Sequence, residues 1–474
     1  MSSLLILVPL AGILLLNLPI SGLKRLAFPF ALALALAQGG LALFLPADRW
    51  NRVLVSLGGL GQFGLTVDGL SIVLLLSIAV AFFAALFVGR ATITDETKRF
   101  EFINLLVLAI VGMNGVVMVR DLFTLYVFLE VAAVASFVLI CLERDRDGLE
   151  GGFKYLILSA VATVVMLTSI GLLLLTTGDT SFSGVAAALH GHSNYLSTLA
   201  VGAFVAGLSI KGGLVPFHGW LPDAYTSAPA GVSVLLAGIV TKTTGIYTVI
   251  RLTTAIFGFT PQVKAVLLTI GAISIVVGAL AALGPKDFKR MLAYSSISQM
   301  GYIILSLGTG TALGLAGAVF HLFNHAVFKS QLFVNAAAVE KQTGTRDMDV
   351  MGGLSARMPV TGTTSVVAFL STAGIPPLSG FWSKLIIIVA VWVSGYHLLA
   401  VLAVLASLIT CAYFLSMQRR VFFGPLAEEF KNIREAQLGI LVPAVVLALV
   451  SVGVGVFFHY VLNSLILPIK SVVG

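Results

Sequence analysis

KGGLVP, at residues 211–216, interrupts one stretch that is otherwise apolar enough to cross a membrane, and GIPPLSG, at residues 374–380, interrupts another. Proline removes a backbone donor and clashes with the preceding helical turn, so each stretch is expected to break into two half-helices. At membrane depth the freed carbonyls are tolerated only where protein or trapped water satisfies them. The two breaks therefore predict a protein-lined interior region within a membrane domain.

The composition is that of an integral membrane protein. Of the 474 residues, 58% are hydrophobic and 10% are charged, whereas a soluble domain carries about 25% charged residues. Apolar runs of roughly 20 residues recur from end to end, and they leave no segment for a separate soluble domain. The first run begins at Ser3 with no basic residue before it, so it is predicted to be a first span and not a cleaved signal peptide.

The apolar runs predict fourteen spanning helices, with both termini on the same side of the membrane. Their centres are expected near residues 12, 36, 79, 110, 131, 164, 207, 240, 273, 300, 326, 377, 407 and 450. Eighteen of the 28 Lys and Arg residues lie in loops after odd-numbered helices, and KDFKR at 286–290 is assigned to such a loop. The opposite loops hold six: Arg49, Arg52, Arg120, Arg251, Lys264 and Lys470. Because basic loops stay in the cytoplasm, both termini are predicted to be non-cytoplasmic.

The two breaks also predict an internal repeat. If helices 4–8 form one block and helices 9–13 another, the fourth helix of each block, helix 7 or helix 12, is the interrupted one. Five spans is an odd number, so the second block is inverted, and paired broken helices in inverted repeats point to a transporter's ion path. The alternative is that Gly and Pro are simply common in membrane helices. The predicted fold is all-α, with helices 1–3 in residues 1–100, the repeats in 101–255 and 256–420, and a cytoplasmic loop plus helix 14 in 421–474.

Five ionisable residues stand within these predicted spans: Glu130, Lys211, Lys242, Lys329 and Lys384. Each costs about 2.5–3.5 kcal/mol at the centre of a spanning helix, so such residues are functional candidates by default. Lysine suits proton exchange, because burial disfavours the ammonium and a nearby carboxylate favours it. The alternatives are a purely structural ion pair for Glu130 and snorkelling to the interface for the lysines.

His321, His325 and Lys329 recur at every fourth residue in HLFNHAVFK. The outer two lie about 12 Å apart along one helix face. Neutral imidazoles accept and pass protons, so this face is a candidate proton relay. Packing histidines are the main alternative, and a zinc site is disfavoured because the sequence offers no third ligand nearby. Lys384 is the expected terminal exchange group beyond the second break.

The sequence predicts no cofactor or metal in this chain. Cys141 and Cys411 form no CxxC or Cys/His pattern, so any redox chemistry is expected in a partner subunit. The net charge of +8 does not indicate a nucleic-acid partner, because the basic residues are spread over short loops.

With these residues in place, the chain resembles the antiporter-like subunits shared by respiratory complex I, Mrp-type cation/proton antiporters and membrane-bound hydrogenases. The resemblance spans roughly residues 65–420. It rests on DLFTLYVFLE ending at Glu130, on VPFHGWLPDAYTSAPAGVSVLLAGIVTK ending at Lys242, on KRMLAYSSISQMGY from Lys289, on HLFNHAVFKSQLF from His321, and on AGIPPLSGFWSK ending at Lys384.

The resemblance implies fourteen helices, two inverted five-helix repeats and a chain of proton-transfer groups. Carried over by motif, these are Glu130, Lys211, Lys242, His321, His325, Lys329 and Lys384. Lysine stands at position 384, where one complex I member looks to carry glutamate. The chain also ends shortly after helix 14, without a long lateral helix. It is therefore most similar to the shorter subunits of these complexes.

Residues and resemblance together predict a proton-translocating or Na⁺/H⁺-exchanging subunit of a multi-subunit complex in the plasma membrane. Redox chemistry or a cation gradient in partner subunits, including related antiporter-like subunits, would supply the energy. The chain has no visible redox centre, so its part in a translocase enzyme stays open. The alternatives are a stand-alone secondary transporter of a small solute and a non-conducting scaffold.

Overall fold

A computed structural model describes residues 2–20, 22–45, 53–56, 62–191 and 195–467. The cations predicted at Arg49, Arg52 and Lys470 lie outside these ranges. The described chain is built almost entirely of helices joined by short connections. The helices of the first half are α1 (Leu4–Leu16), α2 (Ala27–Phe44), α3 (Gly69–Thr92), α4 (Glu96–Met118), α5 (Leu122–Ile140), α6 (Arg146–Thr177), α7 (Phe182–Gly191), α8 (Tyr195–Lys211), α9 (Trp220–Ser227), α10 (Ala230–Leu235) and α11 (Thr248–Leu252).

The second half continues in the same way. Its helices are α12 (Pro261–Ala281), α13 (Phe288–Gly308), α14 (Ala312–Thr343), α15 (Pro359–Ala373), α16 (Ser379–Val393), α17 (His397–Val421), α18 (Leu438–Val456) and α19 (Phe458–Val461). Short 3₁₀ turns occupy Leu23–Leu26, Leu354–Ala356 and Glu428–Phe430, and π-helical turns occupy Leu236–Val240, Lys242–Tyr247, Thr253–Phe257 and Leu462–Ile466.

Nine helices of the described chain are long and apolar enough to cross a membrane, and three shorter apolar helices accompany them. Two further long helices, α13 and α14, are more polar, and nearly all of their residues are buried. Helices surrounded by protein can carry polar side chains that lipid-facing helices cannot. The interior of the membrane domain is therefore centred on α13, α14, α3 and the segment Ala230–Phe257, which is fully buried in its most apolar window.

Aspartate begins most of the long helices of the first half. The carboxylates of Asp68, Asp95, Asp121 and Asp145 accept backbone N–H groups in the first turns of α3, α4, α5 and α6. Each satisfies donors that have no partner inside the helix. Glycines in the left-handed conformation end α6 and α14, because they close the last turn without a Cβ clash.

Every predicted helix centre lies within a helical segment except the one near residue 377. That residue lies in the break between α15 and α16, and the first predicted break separates α8 from α9. The freed carbonyl of Ile210 accepts the indole N–H of Trp220 at 3.0 Å. At the second break, Gly380 N–H donates to Ser371 Oγ at 3.2 Å. Nearby side chains thus satisfy backbone groups that each break leaves open.

Four features differ from the predictions. An antiparallel hairpin of β1 (Val53–Ser56) and β2 (Gln62–Leu65) interrupts the all-α fold, with Val53 opposite Leu65. Helix α7 lies in a connection for which no helix was predicted. Arg251, predicted in a loop, lies in α11 and is buried, and Lys289, predicted in a cytoplasmic loop, lies in α13 and is buried. Both cations were misplaced because the apolar runs conceal where a capped helix actually starts or ends.

Candidate functional site

Glu130 and Lys211 form an ion pair within the membrane-spanning part of the chain. Glu130 Oε1 lies 2.8 Å from Lys211 Nζ and accepts the Thr163 hydroxyl at 2.6 Å. Lys211 Nζ also donates to Ser159 Oγ at 3.1 Å. The lysine side chain is 3% exposed and the glutamate side chain 29% exposed. The carboxylate therefore meets the buried ammonium from the outer side of the helix bundle.

The break after Lys211 places this pair next to the following span. Lys211 is the last residue of α8, and the chain then turns through Gly212 and Gly213. A Cβ atom on Gly245 would lie 2.2 Å from the Gly212 Cα atom, a separation that no side chain can occupy. The break of the first interrupted helix therefore touches the π-helical turn Lys242–Tyr247 backbone to backbone.

Lys242 begins this π-helical turn and is completely buried. Its Nζ atom donates to the backbone carbonyl of Ala237, five residues earlier. π-Helical turns free carbonyls from the regular α-helical pattern and are frequent at functional sites. The neighbouring Thr241 hydroxyl lies 2.7 Å from the Tyr225 hydroxyl. Among the described residues, the hydrogen-bond partner of the Lys242 amine is thus a backbone carbonyl.

The next group of titratable residues lies on α14, which approaches this span closely. A Cβ atom on Gly238 would lie 2.3 Å from Ser330 Oγ of α14. His325 and Lys329 stand four residues apart on this helix and therefore on one face of it. The two ring nitrogens of His325 are buried and have no hydrogen-bond partner among the described residues.

Lys329 and Lys384 use hydroxyl, carbonyl and aromatic groups. Lys329 Nζ donates to Ser295 Oγ at 2.7 Å and to the Leu292 carbonyl at 3.0 Å. Lys384 Nζ donates to the carbonyl of Ala373 at 3.4 Å, beside the second break. The same amine lies 4.8 Å from the centroid of the Tyr302 ring, within the range of a cation–π contact.

His321 connects the histidine face of α14 to α16. Its Nδ1 atom lies 2.9 Å from Ser383 Oγ, and Ser383 directly precedes Lys384. The ring centroids of His321 and His325 are 6.3 Å apart. The seven predicted residues therefore fall into a pair on α5 and α8, Lys242 alone on the following span, and a cluster on α14 and α16.

Direct hydrogen bonds do not join all seven groups. Within the described residues, Lys211 has no bond to Lys242, and Lys242 has none to His325. Buried polar atoms without a partner lie along the same part of the interior, including Thr243 Oγ1, His321 Nε2 and both polar atoms of the Gln299 side chain. Such groups in native proteins are usually satisfied by ordered water.

The sequence reasoning missed two buried ion pairs. Arg251 donates to both carboxylate oxygens of Asp68, at 2.6 and 2.7 Å, and Arg120 lies 3.2 Å from the same carboxylate. Burial alone would raise the pKa of Asp68, but the charges of Arg251 and Arg120 outweigh burial and hold that pKa well below its usual range.

The second missed pair joins Lys289 of α13 to Glu340 of α14, at 2.9 Å. Lys289 also donates to the carbonyl of Ala228 at 3.3 Å. Both residues line a cavity of about 360 Å³ that includes Glu143 and Arg346. A lysine that follows an aspartate helix cap, with a glutamate near the end of the next helix, was the pattern that could have revealed this pair.

The family model described as NADH:quinone oxidoreductase/Mrp antiporter, transmembrane, matches residues 119–410. The chain is 31% identical over 392 residues to a Na⁺/H⁺ antiporter subunit of Alkalihalophilus pseudofirmus, covering 81% of this chain and 79% of that protein. It is 32% identical over 471 residues to an NADH-quinone oxidoreductase subunit of Desulforudis audaxviator, covering 94% of each.

A solved structure supports the same relationship. A chain of respiratory complex I from Thermus thermophilus superposes with a TM-score of 0.86 at 25% sequence identity, covering 100% of both chains. The matched family region includes every residue from Glu130 to Lys384 discussed above. On these grounds, this chain belongs to the transmembrane family shared by NADH:quinone oxidoreductases and Mrp antiporters.

Proposed function

We propose that the chain is a proton-translocating or Na⁺/H⁺-exchanging subunit of a multi-subunit complex in the plasma membrane. Its relatives are named as subunits of a Na⁺/H⁺ antiporter and of an NADH-quinone oxidoreductase, at nearly equal identity. That near equality favours neither type of complex. Redox chemistry or an opposing cation gradient in the partner subunits supplies the energy in this proposal.

One observation carries the proposal: a buried lysine–glutamate pair lies beside a broken helix, and that break contacts the helical turn that carries a second buried lysine. Lys211 and Glu130 are 2.8 Å apart, and Gly212 touches Gly245, three residues after Lys242. When the carboxylate is close, its charge favours a proton on the amine; when the two separate, the proton becomes easier to release. Movement of Glu130 would thus drive a proton from Lys211 toward Lys242.

From Lys242 the proposed route continues along α14. Water between Lys242 and His325 would connect the amine to the imidazole, which has two unpartnered ring nitrogens among the described residues. The proton then passes to Lys329, or through His321 and Ser383 to Lys384. Hydroxyl groups within 3 Å of Lys329 and of His321 support transfer at both ends of this cluster.

The proposed architecture has fourteen spans in two inverted repeats. It combines α8 with α9, the segment Ala230–Phe257, and α15 with α16 into single spans. The repeats then cover residues 96–257 and 261–421, a few residues from the predicted boundaries of 101–255 and 256–420. The broken helix is the fourth span in both.

The ion pairs are consistent with both termini lying outside. Cations assigned to different cytoplasmic loops lie close together. Lys154 and Arg290 both bind Asp223, and Arg346 binds Asp287. Cations assigned to the opposite side, Arg120 and Arg251, share Asp68. No pair in the described chain joins the two groups.

A partner subunit is expected on the α5 face. The Glu130 side chain is 29% exposed in the isolated chain, and a carboxylate facing lipid at this depth is costly. A neighbouring membrane subunit would cover it and, by approaching or retreating, would alter its interaction with Lys211. This position makes Glu130 the group through which partner subunits act on the proton route.

The test is proton pumping by the complete complex in proteoliposomes, with Lys211→Met in this chain. Lys431→Met is the matched control, because Lys431 is exposed and pairs only with the exposed Glu428. We expect at least a tenfold loss of coupled transport for Lys211→Met and normal transport for the control. Undiminished coupled transport in a fully assembled Lys211→Met complex would refute the proposal, and solute uptake by a purified monomer would favour the stand-alone transporter.

A further inference from the structure

A pocket of about 570 Å³ opens where the starts of α2 and α4 meet the end of α3. We call it the basic pocket, because four basic side chains and a single carboxylate line it: Lys24, Arg25, Arg90, Arg99 and Glu96. All three helices have one end here, so the pocket lies at one face of the membrane domain. Its position at a face, with an excess of cations, suits an anionic ligand from the membrane surface.

The cations of the basic pocket are mostly not neutralised by the protein. Arg99 lies 3.5 Å from Glu96, whose side chain is 92% exposed, so that contact is weak. Across the described chain, Lys24, Arg25 and Arg90 form no ion pair with a carboxylate. By contrast, Arg120 and Arg251 on the opposite side share the Asp68 carboxylate. The basic pocket therefore presents positive charge that is available to a ligand.

Aromatic rings hold two of these cations in place. The Arg90 guanidinium lies 4.0 Å from the Phe28 ring centroid, and Lys24 Nζ lies 5.3 Å from the Phe100 ring centroid. Phe28, Phe100 and Ile103 also line the pocket. The pocket thus combines a cationic rim with an apolar wall. An anionic phospholipid matches these two surfaces with its charged headgroup and its acyl chains.

We propose that the basic pocket binds an anionic phospholipid. Its phosphate would lie among Lys24, Arg25 and Arg90, and an acyl chain would lie against Phe28 and Ile103. A soluble phosphate shares the charge chemistry but makes no use of the apolar wall. The proposal requires only that the pocket lies at a membrane face, and it is independent of the transport function proposed above.

The test uses the intact complex in nanodiscs of phosphatidylglycerol and phosphatidylcholine. A phosphatidylglycerol with a photoreactive acyl chain is crosslinked in the wild-type complex, and labelled peptides are mapped. Labelling is expected within residues 24–29 and 90–103, and it should be displaced by unlabelled phosphatidylglycerol but not by phosphatidylcholine or millimolar inorganic phosphate. Displacement by inorganic phosphate alone, or absence of label from both segments, would overturn the proposal.

The variant arm removes the charges by Lys24→Gln, Arg25→Gln and Arg90→Gln together. We expect labelling by the photoreactive phosphatidylglycerol within residues 24–29 and 90–103 to fall about tenfold. The control removes three exposed arginines elsewhere, by Arg357→Gln, Arg419→Gln and Arg434→Gln, and should leave labelling unchanged. Equal loss of labelling in both variants would show that the pocket holds no lipid. Unchanged labelling in the pocket variant would show the same, even if that variant loses a subunit from the complex. If the triple variant does not assemble, Arg25→Gln alone is expected to lower labelling severalfold, and unchanged labelling would count against the proposal.

Discussion

The region around Lys211 and the region around Lys329 and Lys384 hold their buried lysines with different groups. In the first half, Lys211 is paired with the carboxylate of Glu130 and a serine hydroxyl. In the second half, Lys329 and Lys384 are held by hydroxyl, carbonyl and aromatic groups, and no described carboxylate lies within 4 Å of either amine. The paired lysine loses a fixed counter-charge when its partner is removed, whereas the unpaired lysines have none to lose. Lys211 should therefore respond differently to loss of charge from Lys329 and Lys384.

The largest expected effect on stability comes from removing the carboxylate of the Glu130–Lys211 pair. Glu130→Gln leaves the Lys211 ammonium buried without a counter-charge, which costs about 3–5 kcal/mol. The double variant Glu130→Gln/Lys211→Gln should recover most of that free energy of unfolding without recovering transport. Thermal unfolding in detergent measures the first effect and proteoliposome pumping the second.

The control for that pair is Glu143→Gln. Glu143 pairs with Lys98 at 2.6 Å, but the two side chains are 40% and 34% exposed, so the loss should be at most about 1 kcal/mol. Equal destabilisation by Glu130→Gln and Glu143→Gln would show that the Lys211 pair is no more strongly coupled than a surface pair.

The next largest effect is expected from Asp68→Asn, which leaves Arg251 buried beside Arg120 without a carboxylate. A loss of about 3 kcal/mol is expected, the low end for broken buried pairs, because Arg251 keeps its hydrogen bonds to the Tyr247 and Ser71 hydroxyls. Unlike Glu130→Gln, this variant should keep coupled transport once assembled. Asp95→Asn is the control, since Asp95 also caps a helix but binds only backbone N–H groups in its first turn. If Asp68→Asn also abolished transport in a stable complex, the Asp68–Arg251 pair could not be distinguished from the Glu130–Lys211 pair by its role in transport.

The Asp68 cluster also predicts a direction for acid sensitivity. Because the native pKa of Asp68 is held below its usual range, its stabilising contribution is fully present above the ordinary pKa of a carboxyl group and is lost as the pH falls through the native value. Wild-type protein should thus lose thermal stability on acidification more steeply than Asp68→Asn. Parallel pH profiles for the two proteins would contradict this expectation.

A smaller effect is expected from Ser383→Ala, which removes the hydroxyl bound to His321 Nδ1 at 2.9 Å. The free energy of unfolding should fall by about 1 kcal/mol, and coupled transport should slow severalfold if the imidazole needs that bond for orientation. Ser394→Ala is the matched control, since its hydroxyl donates only to the Ala390 carbonyl of its own helix. Equal rates in the two variants would remove Ser383 from the proposed route.

The smallest effect on stability is expected from Lys384→Gln, although its effect on transport should be large. The amine has no described carboxylate partner, so its removal strands no charge, and unfolding should change by less than about 1 kcal/mol. A destabilisation as large as that of Glu130→Gln would mean that Lys384 has a hidden counter-charge. Comparison of the two variants tests directly whether the lysine with a carboxylate partner and the lysine without one differ.

Most of the fold could be predicted because apolar runs and prolines determine where spans and breaks lie. Proline and glycine chemistry placed both interruptions, and the structure has them at the expected residues. The β1–β2 hairpin and α7 were not predicted, because short connections carry no strong periodicity. Arg251 was misplaced because a cation near the end of a span is normally assigned to a loop. The sequence did not show that Asp68 lies beside it as a partner.

The residue types of the candidate site could be predicted, and so could the pairing of Glu130 with a buried lysine, but the other partners could not. The free-energy cost of placing an ionisable side chain within the membrane identified Glu130 and the four lysines as candidates. The sequence could not show that Lys384 binds the carbonyl of Ala373, because that carbonyl becomes available only when the second break has formed. The burial of Lys289 was also missed, because Glu340 lies 51 positions further along the chain and tertiary packing brings the two together.

The crossing of Gly212 and Gly245 fixes the spacing between the first break and the span that follows it. No atoms of a side chain stand between the two backbones there. Their separation is set by hard contact, which cannot change through a rotamer flip. A single added methyl group at residue 245 would act as a wedge and lengthen the step between Lys211 and Lys242 while leaving every ionisable group in the chain untouched.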